Sequence, residues 1–371
     1  MSRVYDIIDA DSHVLEPLSI WSEYIDPAFR DRAPKVVTED GGRFLRVDEL
    51  SFDLGSSGLG RGGAIGARDE GIEEEFTYEM GRAGGFDPHA RVVDMDLDNI
   101  DASFIYPTVG LKLVSLEDAE LTAALCRALN RWLAEYCSAY PDRMFGVALL
   151  PMQSVELARQ ELEFARNELN MRAAILRPNS AQALFHHPEW EPLWDAAEDQ
   201  DIAIALHEGG ARAATHQPGV ERFFTSPGAR HSISHTVEMM IASLSLLWHG
   251  VCDRHPKIRF GFMESGGGWI AGWLDRMDRH YGDKEMHDTG LSMPPSELFR
   301  RNCWISFEPV EQSLTPLADY LGPTKILWAT DYPHSDGFFP GAPKLIQDRP
   351  LSPETKAGIL AGGAMAFYGL S

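Results

Sequence analysis

The chain of 371 residues carries 33 basic and 56 acidic side chains, a formal charge of −23 at pH 7 with histidine neutral. That length buries a substantial core as one large α/β domain or two average ones. The charge argues against a nucleic-acid partner and disfavours anionic membrane surfaces, because like charges repel.

At 44% hydrophobic and 10% aromatic residues the composition is that of a folded globular protein. The four cysteines, Cys126, Cys137, Cys252 and Cys303, form no Cys-x-x-Cys pair. Neither a disulfide framework nor a thiolate zinc site is expected. The start, MSRVYDIIDADSH, has acids where a signal peptide needs a basic and then an apolar stretch. The longest apolar helical stretch, Met239 to Val251, is broken by serines and a histidine and is too short to span a bilayer. A cytoplasmic location is expected.

In chain order, eight short apolar runs read as strands: Val4–Asp9, Ala102–Tyr106, Phe145–Leu150, Ala173–Arg177, Ile202–Leu206, Ile258–Met263, Cys303–Phe307 and Ile326–Thr330. Helical patterns fall between them at Glu117–Tyr140, Val155–Leu169, Glu189–Gln200 and Thr236–Asp253, and a last one covers Pro353–Tyr368. Strand–helix alternation implies a parallel sheet. Eight units in this length favour a closed (β/α)₈ barrel, a TIM barrel, as one domain over residues 1–371. The open-sheet alternative lacks its glycine-rich phosphate turn after the first strand.

Residues 15–94 interrupt the rhythm with no clean βα unit and a glycine-rich stretch, Gly55–Gly66. Because the segment follows strand one it should emerge at the carboxyl-terminal face, so it reads as an inserted cap or lid.

The strand ends carry the chemistry. Asp9, Asp11 and His13 share one parity, which in an extended backbone points them to one side. His207 closes the fifth strand, Glu264 the sixth and Asp331 the eighth, with His334 just beyond. In a barrel these ends converge, and two histidines with several carboxylates are ligands for zinc, manganese or iron(II) with a position left open. Taken singly, each has a plainer reading: a hydrogen-bonded histidine, a turn-forming aspartate, or, for Asp9, a partner behind the ligands. Arg177 ends the fourth strand and fits a bidentate clamp for a substrate carboxylate, or a salt bridge. His186 and His187 read as loop residues. Trp269, Trp273 and Tyr281 have helical spacing and read as core.

The blocks IIDADSHVLEP, YPTVG, PLWDAAEDQDIAIALHEGG, HPKIRFGFMESGGGWIAGWLDRMDRHY and ILWATDYPHSDG, in this order, resemble the amidohydrolase-related family that includes aminocarboxymuconate semialdehyde decarboxylase and resorcylate-type decarboxylases. The resemblance implies a metal-dependent amidohydrolase-superfamily barrel, with Asp11, His13, His207 and Asp331 as ligands of one divalent ion, zinc first and iron or manganese next. It also suggests a homodimer. Asp11 stands where the family commonly has histidine or glutamate. Glu264 lies in a block where members often carry a catalytic histidine.

Such an ion lowers the pKa of bound water to about 7. Asp331 and Glu264 are then candidate proton carriers, and His235 and His334 candidate orienting groups. Because the strand-six histidine is missing, the first expectation is a hydrolase whose metal-bound hydroxide cleaves an amide, ester or thioester of a small, largely apolar molecule. The alternative on the same metal is non-oxidative decarboxylation of an aromatic or enoic acid. A third reading is a barrel that binds small molecules without metal.

Overall fold

A computed structural model describes residues 3–55, 59, 76–178, 183–207, 220–223, 225–286 and 288–370. The chain opens with β1 (Ile8–His13) and then forms a small antiparallel sheet of β2 (Lys35–Glu39), β3 (Gly42–Val47) and β4 (Leu50–Asp53). The barrel resumes with β5 (Ala102–Tyr106), β6 (Met144–Gly146), β7 (Ala148–Leu149) and β8 (Ala173–Leu176). It continues through β9 (Ala203–Leu206), β10 (Phe260–Phe262), β11 (Cys303–Phe307) and β12 (Ile326–Trp328).

One parallel sheet runs β1-β5-β6 and a second runs β7-β8-β9-β10-β11-β12. Only Val147 separates β6 from β7, and its N–H still donates to Ile105 O at 3.0 Å, so the two make one bent strand. The ring closes where Asp331 N–H donates to Asp11 O at 3.1 Å and His13 N–H to Tyr332 O at 2.5 Å. The result is the (β/α)₈ barrel that the alternation implies. Its strands are buried on both faces, and so they read as continuous apolar runs rather than alternating ones.

The helices between them form where caps and amphipathic spacing agree. Asp118 accepts from the N–H groups of Glu120 and Leu121 to start the Ala119–Ser138 helix, and Ser154 starts Val155–Asn167 in the same way. The predicted Thr236–Asp253 helix begins earlier, at Pro227, and ends at Trp248. Gly250, at φ +75°, then turns the chain into a separate turn, Val251–Arg254.

The first strand corrects the sequence reading. It spans Ile8–His13 rather than Val4–Asp9, so the acids lie inside it. Their partners come from segments far away in sequence, which hydropathy does not register. One extra residue also interrupts the register: Asp9 pairs with Ser103, but Ser12 already pairs with Ile105. Asp11 and His13 meet at one side as expected, but Asp9 does not share it.

The described residues of 15–94 contribute no barrel strand, only the antiparallel sheet β2–β4, but a helix crosses the end of the segment. Asp87 accepts from His89 N–H, Pro88 takes the first turn, and a helix runs Pro88–Leu97. Gly55–Gly66 lies largely outside the described residues.

At the end of the barrel away from those acids, the carboxyl-terminal segment packs on the barrel as two short helices, Pro353–Ala357 and Gly363–Tyr368, joined by a π-helical turn. Tyr368 enters the barrel: its ring stacks on Phe104 and its hydroxyl donates to Ala10 O at 2.6 Å. Trp328 Nε1–H donates to Leu360 O at 3.0 Å. Among the described residues no helix is long and apolar enough to cross a membrane.

Candidate metal centre

The strand ends bring Asp11, His13, His207, Glu264 and Asp331 together at one mouth. His13 Nε2 lies 3.4 Å from both Asp11 Oδ1 and Asp331 Oδ1. His207 Nε2 lies 3.4 Å from Asp11 Oδ2 and 3.2 Å from Glu264 Oε2. Asp11, His13 and His207 are fully buried, whereas Glu264 and Asp331 are partly open to a cavity of about 330 Å³.

Each side chain is aimed by its support. His13 Nδ1 is 2.9 Å from Pro107 O, an acceptor only, so that nitrogen carries the hydrogen and Nε2 faces the carboxylates. Buried Arg91 donates to His13 O at 2.8 Å and to the Ser12 hydroxyl, with its guanidinium over the Tyr332 ring. Glu16, also buried, accepts from the N–H groups of Thr108, Val109 and Gly110, which fixes the turn after β5. Sequence reasoning missed Arg91, Glu16 and Thr108. Their roles rest on contacts 78 to 94 positions apart, and no local pattern announces them.

Glu264 and Asp331 take left-handed backbone conformations, φ +44° and +53°. Strain of this kind costs a non-glycine residue about 1–2 kcal/mol and gathers at functional sites. The chain holds Asp331 there partly because Gly337 lies against it: a Cβ on Gly337 would sit 2.7 Å from Asp331 O.

Charge sharpens the picture. Burial, then the Asp331 charge, push Glu264 up to about 8. Burial raises Asp331 well above the usual carboxylate range, against the pull of His13. Burial would raise Asp11 too, but His207 and His13 hold it low. Asp9, pushed up to about 7 by burial against its bonds from Thr330, lies behind the cluster rather than within it.

The donors fit a divalent ion. Two ligands each about 2.1 Å from one ion sit roughly 3.0–3.4 Å apart, the spacing found here. Asp11 Oδ1 and His13 Nε2 are buried and make no hydrogen bond among the described residues. Asp11, His13 and His207 offer three ligand atoms within 4.8 Å, and Asp331 joins through His13 and His334. A cation among them would favour the ionised carboxylates that burial opposes.

His334 is more deeply engaged than an orienting group at the cavity. Its Nδ1 is 2.8 Å from Asp331 Oδ1 and its Nε2 is 2.9 Å from Thr108 Oγ1. The Thr108 hydroxyl donates to Val14 O at 2.8 Å, so His334 Nε2–H must be the donor to it. One proton is then left for the Asp331–His334 contact. His235 lines the cavity beside Glu264. Arg177 is absent from the described lining: it is buried, with Nη1 donating to Leu111 O at 2.5 Å and to the Ser115 hydroxyl at 3.0 Å. None of the described residues of 15–94 is part of that lining.

The amidohydrolase family profile matches residues 8–370. The chain belongs to the amidohydrolase family. It is 25% identical over 302 residues to a 2-amino-3-carboxymuconate-6-semialdehyde decarboxylase of Dictyostelium discoideum, covering 81% of each chain. It is also 25% identical over 335 residues to a gamma-resorcylate decarboxylase of Rhodococcus jostii, covering 78% of this chain and 97% of that one. An amidohydrolase from Mycobacterium avium subsp. paratuberculosis superposes with a TM-score of 0.80 at 18% identity, over 99% and 100% of the two chains. A manganese-bound dihydroxybenzoic acid decarboxylase from Polaromonas gives 0.67 at 18%, over 99% and 98%.

These relatives overturn the expectation of an acyl hydrolase, since the curated proteins that match this chain over about four-fifths of its length are decarboxylases. That expectation rested on a missing histidine in strand six, and one catalytic position does not fix the reaction of a barrel.

Proposed function

We propose that this amidohydrolase is a metal-dependent, non-oxidative decarboxylase of a small aromatic or enoic acid. The observation that carries the reading is Asp331, a half-buried carboxyl that shares one proton with His334 and opens on the cavity. Asp11, His13, His207 and Asp331 would hold one divalent ion, which when bound supplies positive charge for the substrate's carboxylate and a neighbouring oxygen. Two carboxylates and two imidazoles suit manganese as well as zinc or iron.

The protein's own part is proton delivery. Asp331 passes its proton to the carbon that bears the carboxylate, the C–C bond breaks, and CO₂ leaves. The pair from that bond stays on the carbon and becomes its new C–H bond, so R–COO⁻ and H⁺ give R–H and CO₂. General acid catalysis of this kind contributes about 10²–10⁴-fold. Phe307 and Phe338 line the same cavity and offer apolar surface to a flat ring. The names of the two relatives support the same class of reaction.

The test is headspace CO₂ from 2,6-dihydroxybenzoate and related hydroxybenzoates and enoic acids. We expect release that a chelator abolishes and manganese or zinc restores, with one deuterium at the vacated carbon in D₂O. Hydrolysis of aryl esters or amides without CO₂ from any acid of the panel would reject the proposal. Light scattering tests the homodimer that the resemblance suggests.

A further inference from the structure

The cavity wall opposite β1 holds a second group of ligand atoms. His231 and His235 are one turn apart on the Pro227–Trp248 helix, with ring centroids 4.7 Å apart. Their ligand atoms and one from Glu264 all lie within 4.8 Å of one another. Asp336 Oδ2 stands 3.7 Å from His231 Nε2. Histidines at i and i+4 present two nitrogens to one point, the arrangement by which helices grip zinc.

The charge of the wall points the same way. Six carboxylates line the cavity, Asp11, Glu264, Glu308, Glu311, Asp331 and Asp336, and no lysine or arginine does among the described residues. Glu311 spends its oxygens on Gly267 N–H, Glu308 N–H and the Ser313 hydroxyl. Asp11, Glu308 and Asp336 leave a negative field that a carboxylate substrate would meet as repulsion. One divalent ion at Asp11, His13, His207 and Asp331 offsets only part of it.

We propose that His231, His235 and Glu264, with Asp336 at the rim, form a second divalent-cation site next to the first. Glu264 stands between the two, because its Oε2 is also 3.2 Å from His207 Nε2. The mixed imidazole and carboxylate donors take a borderline ion such as zinc, cobalt or manganese. The site stands on its own geometry. Its use, to hold a second anionic group of the substrate such as a phenolate or a further carboxylate, rests on the decarboxylase reading.

The experiment is cobalt(II) titration of the chelator-stripped full chain, followed by visible absorbance, with bound metal counted by elemental analysis after dialysis. The wild type is expected to bind two equivalents. The double variant His231→Ala/His235→Ala should bind one, and His231→Gln, at an exposed position, should lose the second equivalent without risk to folding. His13→Ala should lose the first and keep the second. A single equivalent in the wild type, or two retained in the double variant, overturns the second site. Metal-dependent CO₂ release by a protein that binds one ion would leave the decarboxylase reading standing while this inference falls.

Discussion

The two ends of one barrel are built on opposite terms. At the floor, Tyr106 O–H donates to Tyr368 Oη at 2.7 Å, and Tyr368 O–H donates to Ala10 O, so both hydroxyls are paired and buried. At the mouth, on the same strands, the buried atoms Asp11 Oδ1 and His13 Nε2 make no hydrogen bond among the described residues, and two carboxylate-bearing residues sit at strained φ. Tyr106 joins the ends, its ring centroid 5.9 Å from that of His13 and 5.3 Å from that of His207. A barrel divides its labour in this way: the bottom supplies stability, and the top holds groups that stability alone would not choose.

Breaking the mouth should therefore cost activity, and breaking the floor should cost stability. The largest effect is expected of Asp331→Asn, a loss of about 10³-fold in CO₂ release, roughly 4 kcal/mol in the barrier. Its melting temperature should stay level or rise, and a melting temperature that collapses with the activity would contradict the division. Next is Gly363→Ala at the floor. A Cβ there would lie 1.9 Å from the main-chain oxygen of Ile326, which has no room to shift, so a loss of about 3 kcal/mol or more is expected in urea denaturation.

Tyr368→Phe is a gentler cut. It strands Ala10 O and the Tyr106 hydroxyl in the core and should cost about 1–3 kcal/mol, with turnover per folded molecule nearly unchanged. Loss of turnover without loss of stability would mean that the column of tyrosines serves the metal centre directly. Glu264→Gly sharpens the contrast from the other side. It should relieve the φ +44° strain and stabilise by about 1 kcal/mol while lowering activity.

The smallest effect lies on the outer wall of the mouth. Asp94 accepts from Arg82 twice and from the Tyr332 hydroxyl. Burial opposes its charge, but Arg82 and Tyr332 hold its pKa below the usual value. The unfolded chain thus takes up this proton first as pH falls. The stabilisation is full above the ordinary aspartate range and fades as pH drops through the folded value. Asp94→Asn should flatten that part of the acid limb of a melting-temperature profile, and an unchanged limb would count against the assignment.

Much of this was legible without coordinates. The Ala102–Tyr106 and Cys303–Phe307 strands are found where the apolar runs place them, because a strand buried on both faces must be apolar throughout. The polar residues that close strands five, six and eight, His207, Glu264 and Asp331, are visible as breaks in those runs. Other features left no local trace. The extra residue in β1 that turns Asp9 to Thr330 depends on the register with β5, and Arg91 has meaning only beside His13 and Tyr332. The helix starting at Pro88 did leave a signal, an aspartate before a proline, which the surrounding irregular segment obscured.

By itself, then, the sequence determined the barrel, its order of strands and the residue types at its mouth, since these follow from hydropathy period and from where polar groups interrupt it. Only the tertiary structure decided which of those polar groups meet. It brought Asp11, His13 and His207 within ligand distance of one another, set Asp331 beside His13, placed His334 behind Asp331 with a single proton between them, and kept Arg177 out of the described lining. The physical reason is that ligand spacing and proton sharing are fixed by distances of a few ångströms between strands, and no one strand records its distance to the others.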